Sequence, residues 1–284
     1  MWKTASLTPL QKEVILNQAT EQPFSSILTD KKGEGSYLCR NCGLALFRGD
    51  AKFSTSCGWP SFDIEVSGAV NSFPDKDGHR TEIVCARCNA HLGHVFYGEN
   101  FTSLNTRHCV NSVALDFVDN KEVEDSEEII LAAGCFWGVE YYLQKLPEVL
   151  LTEVGYLGGE LEYPRYQDVC TKLTGHLEVV RVIFDRAKLS LEKLLKYFFE
   201  IHDFTQINGQ GPDIGSQYLS AIFYYNKEQQ KVALDLIKQL QDMSYLVATK
   251  VRPMDIFWPA EEYHHNYYNN KGSLPYCHSY TQLF

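Results

Sequence analysis

The sequence has little positive charge. Its 284 residues hold 26 Lys and Arg against 36 Asp and Glu, which gives a formal net charge of −10 at pH 7. Residues 1–120 hold 11 basic and 13 acidic side chains, and residues 121–284 hold 15 and 23. Proteins bind nucleic acids mainly by neutralising phosphates with Lys and Arg. The charge therefore argues against a nucleic acid partner.

Long hydrophobic runs are also missing. No apolar stretch approaches the ~18 residues that a membrane-spanning helix needs, and residues 1–6 lack the apolar core of a signal peptide. The sequence shows no internal repeat and no low-complexity segment. We therefore expect a cytoplasmic protein with no membrane partner. The length and the 44% content of hydrophobic residues allow two separate cores, so two domains are expected.

Residues 1–118 are predicted to form a domain made mostly of antiparallel β-strands. Short runs in which apolar and polar residues alternate, such as 62–66 and 113–118, are separated by Gly, Asn and Pro. This pattern is typical of strands joined by turns. A helix over 9–18 is expected to come first, because Thr8 is followed by Pro and, three residues later, by Gln, as in a capping box.

Residues 129–284 have a different sequence pattern, which predicts strands that alternate with helices. The apolar runs at 177–184 and 219–225 predict strands. Helices are expected after Ser190 and Asn226, because each of these cap residues precedes a stretch with apolar residues at helical spacing. The second domain should therefore combine a sheet with helices.

Two stretches are predicted to lack regular structure. Residues 119–128 hold seven charged side chains and no aromatic one, so they are predicted to form an acidic linker between the domains. From Phe257 onward Pro, Asn and Gly are frequent, which favours an irregular tail on the surface of the second domain.

Nine cysteines in a sequence without an export pattern suggest metal and redox chemistry more than a disulfide framework. Cys39 and Cys42 form one Cys-x-x-Cys pair, and Cys85 and Cys88 form another, so four thiolates are available for one tetrahedral Zn²⁺. Because the protein fills all four positions, the zinc is expected to be structural. A zinc ribbon that binds a protein or a nucleic acid is the rival use, and the negative charge argues against the second version.

One cysteine is predicted to lie at the start of a helix. Residues 134–138, Gly-Cys-Phe-Trp-Gly, follow the apolar run at 129–133 and precede an amphipathic segment. Cys135 would then lie among unpaired backbone N–H groups, whose partial positive charge lowers a thiol pKa from its usual ~8.5. An inert core cysteine is the alternative.

Two further thiols are candidates for reactivity. Arg107 lies two residues before Cys109 and should favour its thiolate, and Cys57 could form a reversible disulfide with Cys109. His91 and His94 add two imidazoles. They could act in acid–base catalysis or serve as hydrogen-bonded core residues.

Residues 5–118 resemble methionine sulfoxide reductase B. The resemblance is carried by both Cys-x-x-Cys pairs, Cys-Gly-Trp-Pro-Ser-Phe at 57–62, Arg-Thr-Glu at 80–82, His-Leu-Gly-His-Val-Phe at 91–96 and Arg-x-Cys-x-Asn at 107–111. It implies a zinc-containing β fold in which Cys109 is the catalytic thiol, Cys57 the resolving thiol and Trp59 the wall of the methyl pocket. The groups that orient and protonate the sulfoxide would be His91, His94, Arg107 and Asn111. His108 stands where the family usually has Tyr or Phe.

Residues 127–284 are similar to methionine sulfoxide reductase A. The matching stretches are Gly-Cys-Phe-Trp-Gly at 134–138, residues 166–178, residues 211–218 and Pro-Ala-Glu-Glu-Tyr-His at 259–264. The similarity implies an α+β sandwich with Cys135 as nucleophile, Phe136 and Trp137 as the methyl pocket, and Cys277 as the single resolving thiol. The groups around the sulfoxide oxygen would be Glu178, Tyr166, Tyr218 and Asp213. Leu177 and Leu219 depart from the family pattern, and Cys170 is interpreted as structural.

Both resemblances imply one reaction, the reduction of free or protein-bound methionine sulfoxide to methionine. Sulfoxide oxygen leaves only if it is protonated, so Glu178 suits this role if burial raises its pKa. Attack by the thiolate gives a cysteine sulfenic acid, which condenses with the resolving thiol to a disulfide. Thioredoxin would reset that disulfide by thiol exchange, and no organic cofactor is implied. By resemblance, the N-terminal domain takes the R epimer and the C-terminal domain the S epimer.

Two alternatives from other classes remain open at this point. In a thiol hydrolase or acyl transferase, His176 or His264 would act as a base for Cys135, but such an enzyme has no use for Cys277. A zinc-dependent interaction module could instead be fused to a single reductase. In that case Cys109 would be dispensable for activity toward either epimer.

Overall fold

The computed structural model describes residues 7–31, 33–119 and 121–284. The chain divides between Glu127 and Glu128 into two compact units. Among the described residues, no helix is both long enough and apolar enough to cross a membrane.

The N-terminal unit begins with one helix, α1 (Pro9–Asn17), as predicted. The Thr8 hydroxyl accepts a hydrogen bond from Gln11 N at 3.3 Å, and the Gln11 side chain accepts one from Thr8 N at 2.9 Å. This capping box satisfies two backbone donors that the first turn leaves free. Val14 and Ile15 are the buried residues of the helix.

Two sheets form the rest of this unit. One has the strand order β2-β1-β9 and the other β3-β4-β8-β7-β6-β5, and the pairings within them are antiparallel. Aromatic rings fill the core, with Phe47 stacked on Phe62 at 4.3 Å and Tyr37 edge-on to Phe62 at 4.8 Å between centroids. The predicted sheet-rich N-terminal domain is confirmed. The strands are β1 (Gly35–Cys39), β2 (Ala45–Arg48), β3 (Lys52–Phe53), β4 (Ser61–Phe62), β5 (Val70–Pro74), β6 (Thr81–Cys85), β7 (His91–Tyr97), β8 (Thr106–Val110) and β9 (Leu115–Asp119).

Two predicted strands of this unit are wrong in extent. The run at 62–66 is a strand only up to Phe62, because the chain then turns and Val66 N bonds to Leu46 O at 2.8 Å. The run at 113–118 begins instead with a short 3-10 helix, Ser112–Ala114, before β9. The Glu21 carboxylate accepts hydrogen bonds from the first two N–H groups of that helix and so stabilises the turn.

The segment predicted as a linker is shorter and better anchored than expected. β9 extends to Asp119 and the next strand begins at Ser126. Between them, Val123 is fully buried and its N–H donates to Ser36 Oγ at 2.9 Å. Ser126 Oγ in turn donates to Gly43 O at 2.6 Å. These buried bonds, which composition does not reveal, hold the segment against the N-terminal unit.

The C-terminal unit contains a six-stranded sheet of order β16-β15-β10-β12-β11-β17 and a separate hairpin, β13-β14. β15 and β16 are parallel, whereas β11 is antiparallel to β12 and to β17, so the sheet is mixed. The predicted combination of a mixed sheet with helices is confirmed. The strands are β10 (Ser126–Ala133), β11 (Val149–Leu157), β12 (Leu177–Asp185), β13 (Gly209–Gln210), β14 (Asp213–Ile214), β15 (Ser220–Tyr224), β16 (Lys250–Pro253) and β17 (Trp258–Pro259).

The helices of this unit begin where the cap residues predict. Ser190 Oγ accepts from Lys193 N at 3.3 Å, and Asn226 Oδ1 accepts from Gln229 N at 2.9 Å. Each bond satisfies a donor that a helix start leaves free. The helices are α2 (Phe136–Leu143), α3 (Tyr166–Cys170), α4 (Leu191–Glu200), α5 (Lys227–Asp242) and α6 (Tyr267–Lys271).

The tail is more regular than predicted. Trp258 and Pro259 pair with Tyr156 and Gly155 at the edge of the sheet, and α6 follows. Proline is tolerated there because an edge strand does not need all of its donors. A Cβ on Gly155 would lie 2.4 Å from Trp258 O, so glycine permits this close pairing.

A buried cation links three neighbouring strands of the sheet, β10, β12 and β11. Arg181 on β12 donates to Glu128 at 2.7 Å and to Glu153 at 3.0 Å, and it is only 7% exposed. Tyr225 OH also bonds to Glu128. Burial penalises every unpaired charge in such a network, so each member depends on the others.

We expect Arg181→Met to destabilise the C-terminal unit by about 3–5 kcal/mol, because it leaves the Glu128 carboxylate buried without its cation. Urea unfolding followed by hydrogen exchange of residues 177–185 reports on this unit alone. Lys231→Met removes an exposed partner of Asp235 and should leave the midpoint unchanged. Equal midpoints for the two variants would contradict the prediction.

Candidate active sites and metal centre

Two thiols of the N-terminal unit lie in contact. Cys109 on β8 faces Ser61 on β4 across the sheet, and the tight turn before β4 brings Cys57 back over the same pair. The two sulfur atoms are 3.9 Å apart, and Thr55 Oγ1 lies 2.9 Å from Cys57 Sγ. The structure therefore joins the two thiols that the sequence separates by 52 residues.

The hydrogen bond between these thiols governs their charge. It lowers the pKa of Cys57 to about 4 and raises the pKa of Cys109, on which burial acts in the same direction. The Arg107 guanidinium opposes that rise by favouring a charge on Cys109. The pair therefore holds one negative charge and one proton, shared between two touching sulfur atoms.

Arg107 is itself fixed from behind. Its Nε and Nη2 donate to Glu99 at 2.7 and 3.0 Å, and the guanidinium lies over the Phe96 ring at 4.4 Å. The remaining nitrogen, Nη1, is buried and has no partner within the described residues. A buried cationic donor without a partner is suited to an oxygen atom of a substrate.

Two imidazoles of the same unit are each held by a carboxylate. His91 Nδ1 lies 2.6 Å from Glu82, and His94 Nε2 lies 2.5 Å from Asp75. The two rings are 5.6 Å apart. Burial lowers the pKa of His91, whose Nε2 is buried without a partner among the described residues. A neutral imidazole oriented in this way is suited to proton transfer.

Asn111 and Trp59 are tied to a loop that sequence reasoning missed. Asn111 Oδ1 accepts from Glu21 N at 3.0 Å and its Nδ2 donates to Leu92 O at 3.1 Å, while Trp59 Nε1 donates to Glu21 O at 3.2 Å. The structure thus gives Asn111 a place in the framework behind the site. No local pattern points to Glu21, because all its partners lie far away along the chain.

His108, which departs from the family pattern, lies on the other face of β8. Its Nδ1 is 3.2 Å from Phe62 O and its Nε2 is 3.3 Å from Glu65. Side chains alternate along a strand, so His108 and Cys109 face opposite sides. This residue therefore contributes to packing near Phe47 rather than to the thiol site.

The four cysteines of the two Cys-x-x-Cys pairs form one cluster. Their sulfur atoms all lie within 4.8 Å of one another, with Cys39 3.7 Å from Cys88 and Cys42 3.6 Å from Cys85. A tetrahedral zinc with Zn–S bonds of ~2.3 Å places its sulfur atoms about 3.8 Å apart. The donor set and its spacing therefore fit a closed, four-thiolate site.

Cys135 lies at the start of α2, at the end of the central strand β10. Gly134 makes the turn with a φ of 93°, a value that favours glycine. Phe136 N donates to Glu178 Oε2 at 3.1 Å, so the helix start holds this carboxyl group beside the thiol. The predicted strand–turn–helix arrangement is confirmed.

Glu178 is deeply buried on β12, with 2% of its surface exposed. Burial raises its pKa to about 8, although the bond from Phe136 N acts in the opposite direction. The carboxyl group is therefore mainly protonated at neutral pH. It is in a state to donate a proton.

Aromatic side chains enclose the start of α2. Trp137 stacks on Tyr267 with ring centroids 3.7 Å apart, and Phe136 lies 5.0 Å from the His264 ring. Trp137 Nε1 donates to His264 Nδ1 at 3.0 Å, which fixes the indole. Such a wall of rings suits a small apolar group.

Three further predicted residues gather around Glu178. The pKa of Tyr166 and that of Tyr218 are raised, mainly by burial and in part by the charges of Glu178 and Cys135. Both phenols therefore keep their protons and are donors. Asp213 accepts from Tyr276 OH at 2.9 Å, and its other oxygen is buried without a partner in the described part of the chain.

Cys277 is brought to Cys135 by the folded tail. Gln210 Nε2 donates to Cys277 O at 3.2 Å, and the Cys277 side chain is 6% exposed. The hydrogen bond between the thiols raises the pKa of Cys135 and lowers that of Cys277 to about 6. The helix start alone was expected to favour thiolate at Cys135, but the neighbouring thiol outweighs it and takes the first charge.

Cys170 is not a core residue. It is exposed at the end of α3, and its thiol forms a hydrogen bond with Tyr166. Its interpretation as a structural cysteine stays a prediction.

The histidines proposed as bases for a hydrolase are already engaged. His176 Nδ1 accepts from Gly159 N at 3.1 Å, and its Nε2 lies 2.8 Å from Leu161 O. His264 Nδ1 accepts from Trp137, so its Nε2 carries the proton. Neither ring offers a free basic nitrogen to Cys135, which removes the basis for the hydrolase alternative.

Two family models match the chain. "SelR domain" matches residues 7–119, and "Peptide methionine sulfoxide reductase" matches residues 127–284, more than half of the chain. The chain belongs to the peptide methionine sulfoxide reductase family. It carries a reductase A domain after a SelR, or reductase B, domain, and it is an oxidoreductase acting on peptide methionine sulfoxide. The predicted fused architecture is confirmed.

Several relatives match the reductase A domain. Peptide methionine sulfoxide reductase MsrA of Ruthia magnifica is 49% identical over 146 residues, which are 51% of this chain and 88% of the relative. MsrA of Saccharolobus solfataricus is 42% identical over 152 residues, 53% of this chain and 86% of the relative. The crystal structure of reduced Mxr1 from Saccharomyces cerevisiae covers 54% of this chain and 89% of its own, with a TM-score of 0.51 and 33% identity.

The raised pKa of Glu178 gives the reductase A domain a pH dependence. The folded state binds this proton more tightly than the unfolded state, so its stabilising effect is complete below the unfolded pKa of ~4.3 and is lost as pH rises to about 8. We expect Glu178→Gln to abolish this loss, measured as the unfolding midpoint of residues 177–185 at several pH values. Sulfoxide reduction by this domain should fall by on the order of 10²-fold or more.

Glu228→Gln is a suitable control, because this carboxylate lies on the surface with 72% of its side chain exposed. It should keep the wild-type pH profile and activity. A Glu178→Gln profile identical to that of the control would contradict the assignment of a neutral, buried carboxyl group.

Proposed function

We propose that this chain reduces both epimers of methionine sulfoxide, the R epimer in the N-terminal unit and the S epimer in the C-terminal unit. One observation carries the proposal. Each unit holds its own pair of interacting thiols: the sulfur atoms of Cys57 and Cys109 are 3.9 Å apart, and Cys135 and Cys277 shift each other's pKa in opposite directions. A unit that only bound partners would have no use for a thiol pair in a polar, buried site.

In the C-terminal unit, Cys135 attacks the sulfoxide sulfur while Glu178 protonates the oxygen. The sulfur–oxygen bond of the substrate breaks, methionine leaves, and the oxygen stays on Cys135 as a sulfenic acid. Cys277 carries the first negative charge of the pair, so it takes up the proton that Cys135 loses. Tyr166 and Tyr218 donate hydrogen bonds to the oxygen as charge develops on it.

The methyl group of the substrate packs against Phe136 and Trp137. Their rings form the apolar wall next to the thiol. Trp137 is locked on both sides, by Tyr267 and by His264. A rigid pocket of this kind fixes the orientation of the sulfoxide at little cost in entropy.

The N-terminal unit performs the same chemistry with different groups. Cys109 attacks the sulfur, and Cys57 takes up its proton within the shared pair. Arg107 Nη1 is the buried donor available for the sulfoxide oxygen, whereas His91, whose Nδ1 donates to Glu82, can pass a proton to that oxygen only after its Nε2 has taken one up, with His94 beside it. Trp59 lines the methyl pocket, and Asn111 supports the site from behind.

Two units are required because methionine sulfoxide is chiral at sulfur. One rigid pocket cannot present both epimers to the same thiolate, and separate enzymes reduce the two epimers. The assignment of S and R to the two units rests on family resemblance. Free and protein-bound methionine sulfoxide both fit this chemistry.

Each sulfenic acid then condenses with the partner thiol to a disulfide and water. A dithiol reductant of the thioredoxin type restores both thiols by exchange. Four reactive thiols and a cysteine cluster persist only where the surroundings are reducing. A cytoplasmic location is therefore part of the proposal.

A structural zinc ion completes the proposal for the N-terminal unit. Cys39 ends β1 and Cys42 follows it, whereas Cys85 ends β6 and Cys88 follows it, so the ion would join the two sheets. Four thiolates leave no open position on the metal, and the ion would therefore contribute stability and take no part in the reaction.

The two active sites are tested by separating the epimers. Cys109→Ser should abolish turnover of the R sulfoxide and leave that of the S sulfoxide unchanged, and Cys135→Ser should do the reverse, because each unit has its own nucleophile. Turnover is measured with thioredoxin and its reductase on the two purified epimers. Cys170→Ser is the control, because it alters an exposed thiol outside both pairs and keeps a hydroxyl group that can bond to Tyr166. Loss of both activities in either nucleophile variant would contradict the proposal.

The zinc site is tested on the full chain by chelation. Removing the ion should unfold the N-terminal unit and abolish R turnover, whereas S turnover should persist, because a closed thiolate site stabilises only the unit that holds it. Metal analysis before and after chelation, and hydrogen exchange of residues 81–97, measure the two effects. Absence of zinc from protein purified without chelator, or exchange that does not change, would overturn the assignment.

A further inference from the structure

The residue after Cys277 touches the reactive thiol. His278 is buried, and its Nδ1 lies 3.2 Å from Cys277 Sγ. Its Nε2 lies 2.6 Å from Ala133 O, at the end of the central strand β10. The ring therefore bridges the strand that leads to Cys135 and the thiol of the tail.

The hydrogen bond between His278 and Ala133 O determines which ring nitrogen of His278 carries the proton. A carbonyl oxygen only accepts hydrogen bonds, so Nε2 of His278 must be the donor to Ala133 O. In a neutral imidazole the other nitrogen then has a free lone pair. That nitrogen, Nδ1, faces the sulfur of Cys277 and is suited to accept its proton.

The start of α2 leaves room for this ring. A Cβ built on Gly138 would lie 2.2 Å from His278 Nδ1 and 2.9 Å from its Cε1. Any side chain at this position would push the imidazole away from the thiol. Gly138, the second glycine of the Gly-Cys-Phe-Trp-Gly stretch, thus leaves the space that the ring of His278, 140 positions further along the chain, occupies.

We propose that His278 is the general base that removes the proton of Cys277 when this thiol attacks the sulfenic acid on Cys135. The inference rests on the proposed function, which assigns Cys277 as the resolving thiol. A base is needed at this step because Cys277 has taken up the proton of Cys135 in the preceding one.

The step balances without any other reactant. The Cys277 sulfur bonds to the Cys135 sulfur, the sulfur–oxygen bond of the sulfenic acid breaks, and the hydroxyl group leaves as water. His278 takes the thiol proton and returns it to the departing oxygen, directly or through water. The Cys277 sulfur is oxidised and the Cys135 sulfur is reduced, so no external oxidant is required.

Two titratable groups lie near the ring. They are Cys277, whose sulfur is 3.2 Å from Nδ1, and His202, which lies two residues after α4. Burial lowers the pKa of His202 to about 3, so this second imidazole stays neutral and adds no charge. His278 also lines a cavity of about 560 Å³ beside the thiol, which gives water a route to the site.

The test separates the first step from the second. Reduced full-length protein is mixed with the S sulfoxide without reductant and quenched with an alkylating agent, and methionine and the Cys135–Cys277 disulfide are both measured over time. In His278→Gln, methionine release should keep its rate and disulfide formation should slow by on the order of 10²-fold. A sulfenic acid that dimedone traps on Cys135 should accumulate in the interval.

Glutamine suits this test because its amide can still donate to Ala133 O but has no basic nitrogen at the position of Nδ1. Raising the pH toward the usual thiol pKa of ~8.5 should restore the rate, because Cys277 then loses its proton to hydroxide. A purely structural role of the ring would not give this restoration. His278→Asn should behave in the same way and serves as a second variant if His278→Gln does not fold.

His202→Gln is the matched control, since His202 is a buried imidazole that lines the same cavity without touching a thiol. It should form the disulfide at the wild-type rate. Wild-type disulfide formation in a folded His278→Gln or His278→Asn variant would overturn the inference and leave the proposed function intact. Full turnover with thioredoxin in Cys277→Ser would instead overturn the resolving role of Cys277 itself.

Discussion

The structure depends on the contact between two thiols that share one proton. In each unit the first charge goes to the partner thiol, because the hydrogen bond between the sulfur atoms stabilises one thiolate and opposes a second. This arrangement opposes a second negative charge on the pair. The partner thiol can also accept the proton that the nucleophilic thiol loses. The partner thiol therefore acts first as a proton acceptor and later as the group that attacks the sulfenic acid.

The sequence predicted the groups that carry the chemistry better than the groups that hold them. The motifs include Cys57, Cys109, Cys135 and Cys277, and the fold brings each pair together. Glu21 and Asp75, which position the N-terminal site, were missed by the sequence analysis. Glu21 bonds to Ser112, which is 91 positions away, and Asp75 bonds to His94, which is 19 positions away, so neither bond leaves a periodic pattern in the sequence. Register across strands determines such partners, and that information is not local.

The fold was predictable where local and tertiary preferences agree. The caps at Thr8, Ser190 and Asn226 each bind the expected N–H group, because a cap depends only on neighbours three residues away. The extent of strands was less predictable. At 62–66 the apolar alternation continues past the point where the chain turns, and in the tail an edge pairing with β11 orders a stretch rich in Pro and Asn.

His278 packs against Gly138, so the Gly-Cys-Phe-Trp-Gly stretch at the active site is in contact with the C-terminal tail. Gly138 and His278 are 140 positions apart, and the imidazole also bonds to Ala133 O, 145 positions before it. Substitution at one place therefore constrains the other. A homologue with a smaller side chain at the position of His278 has room for alanine at the position of Gly138. A homologue that keeps the imidazole needs glycine there. The residues at these two positions should therefore vary together among homologues.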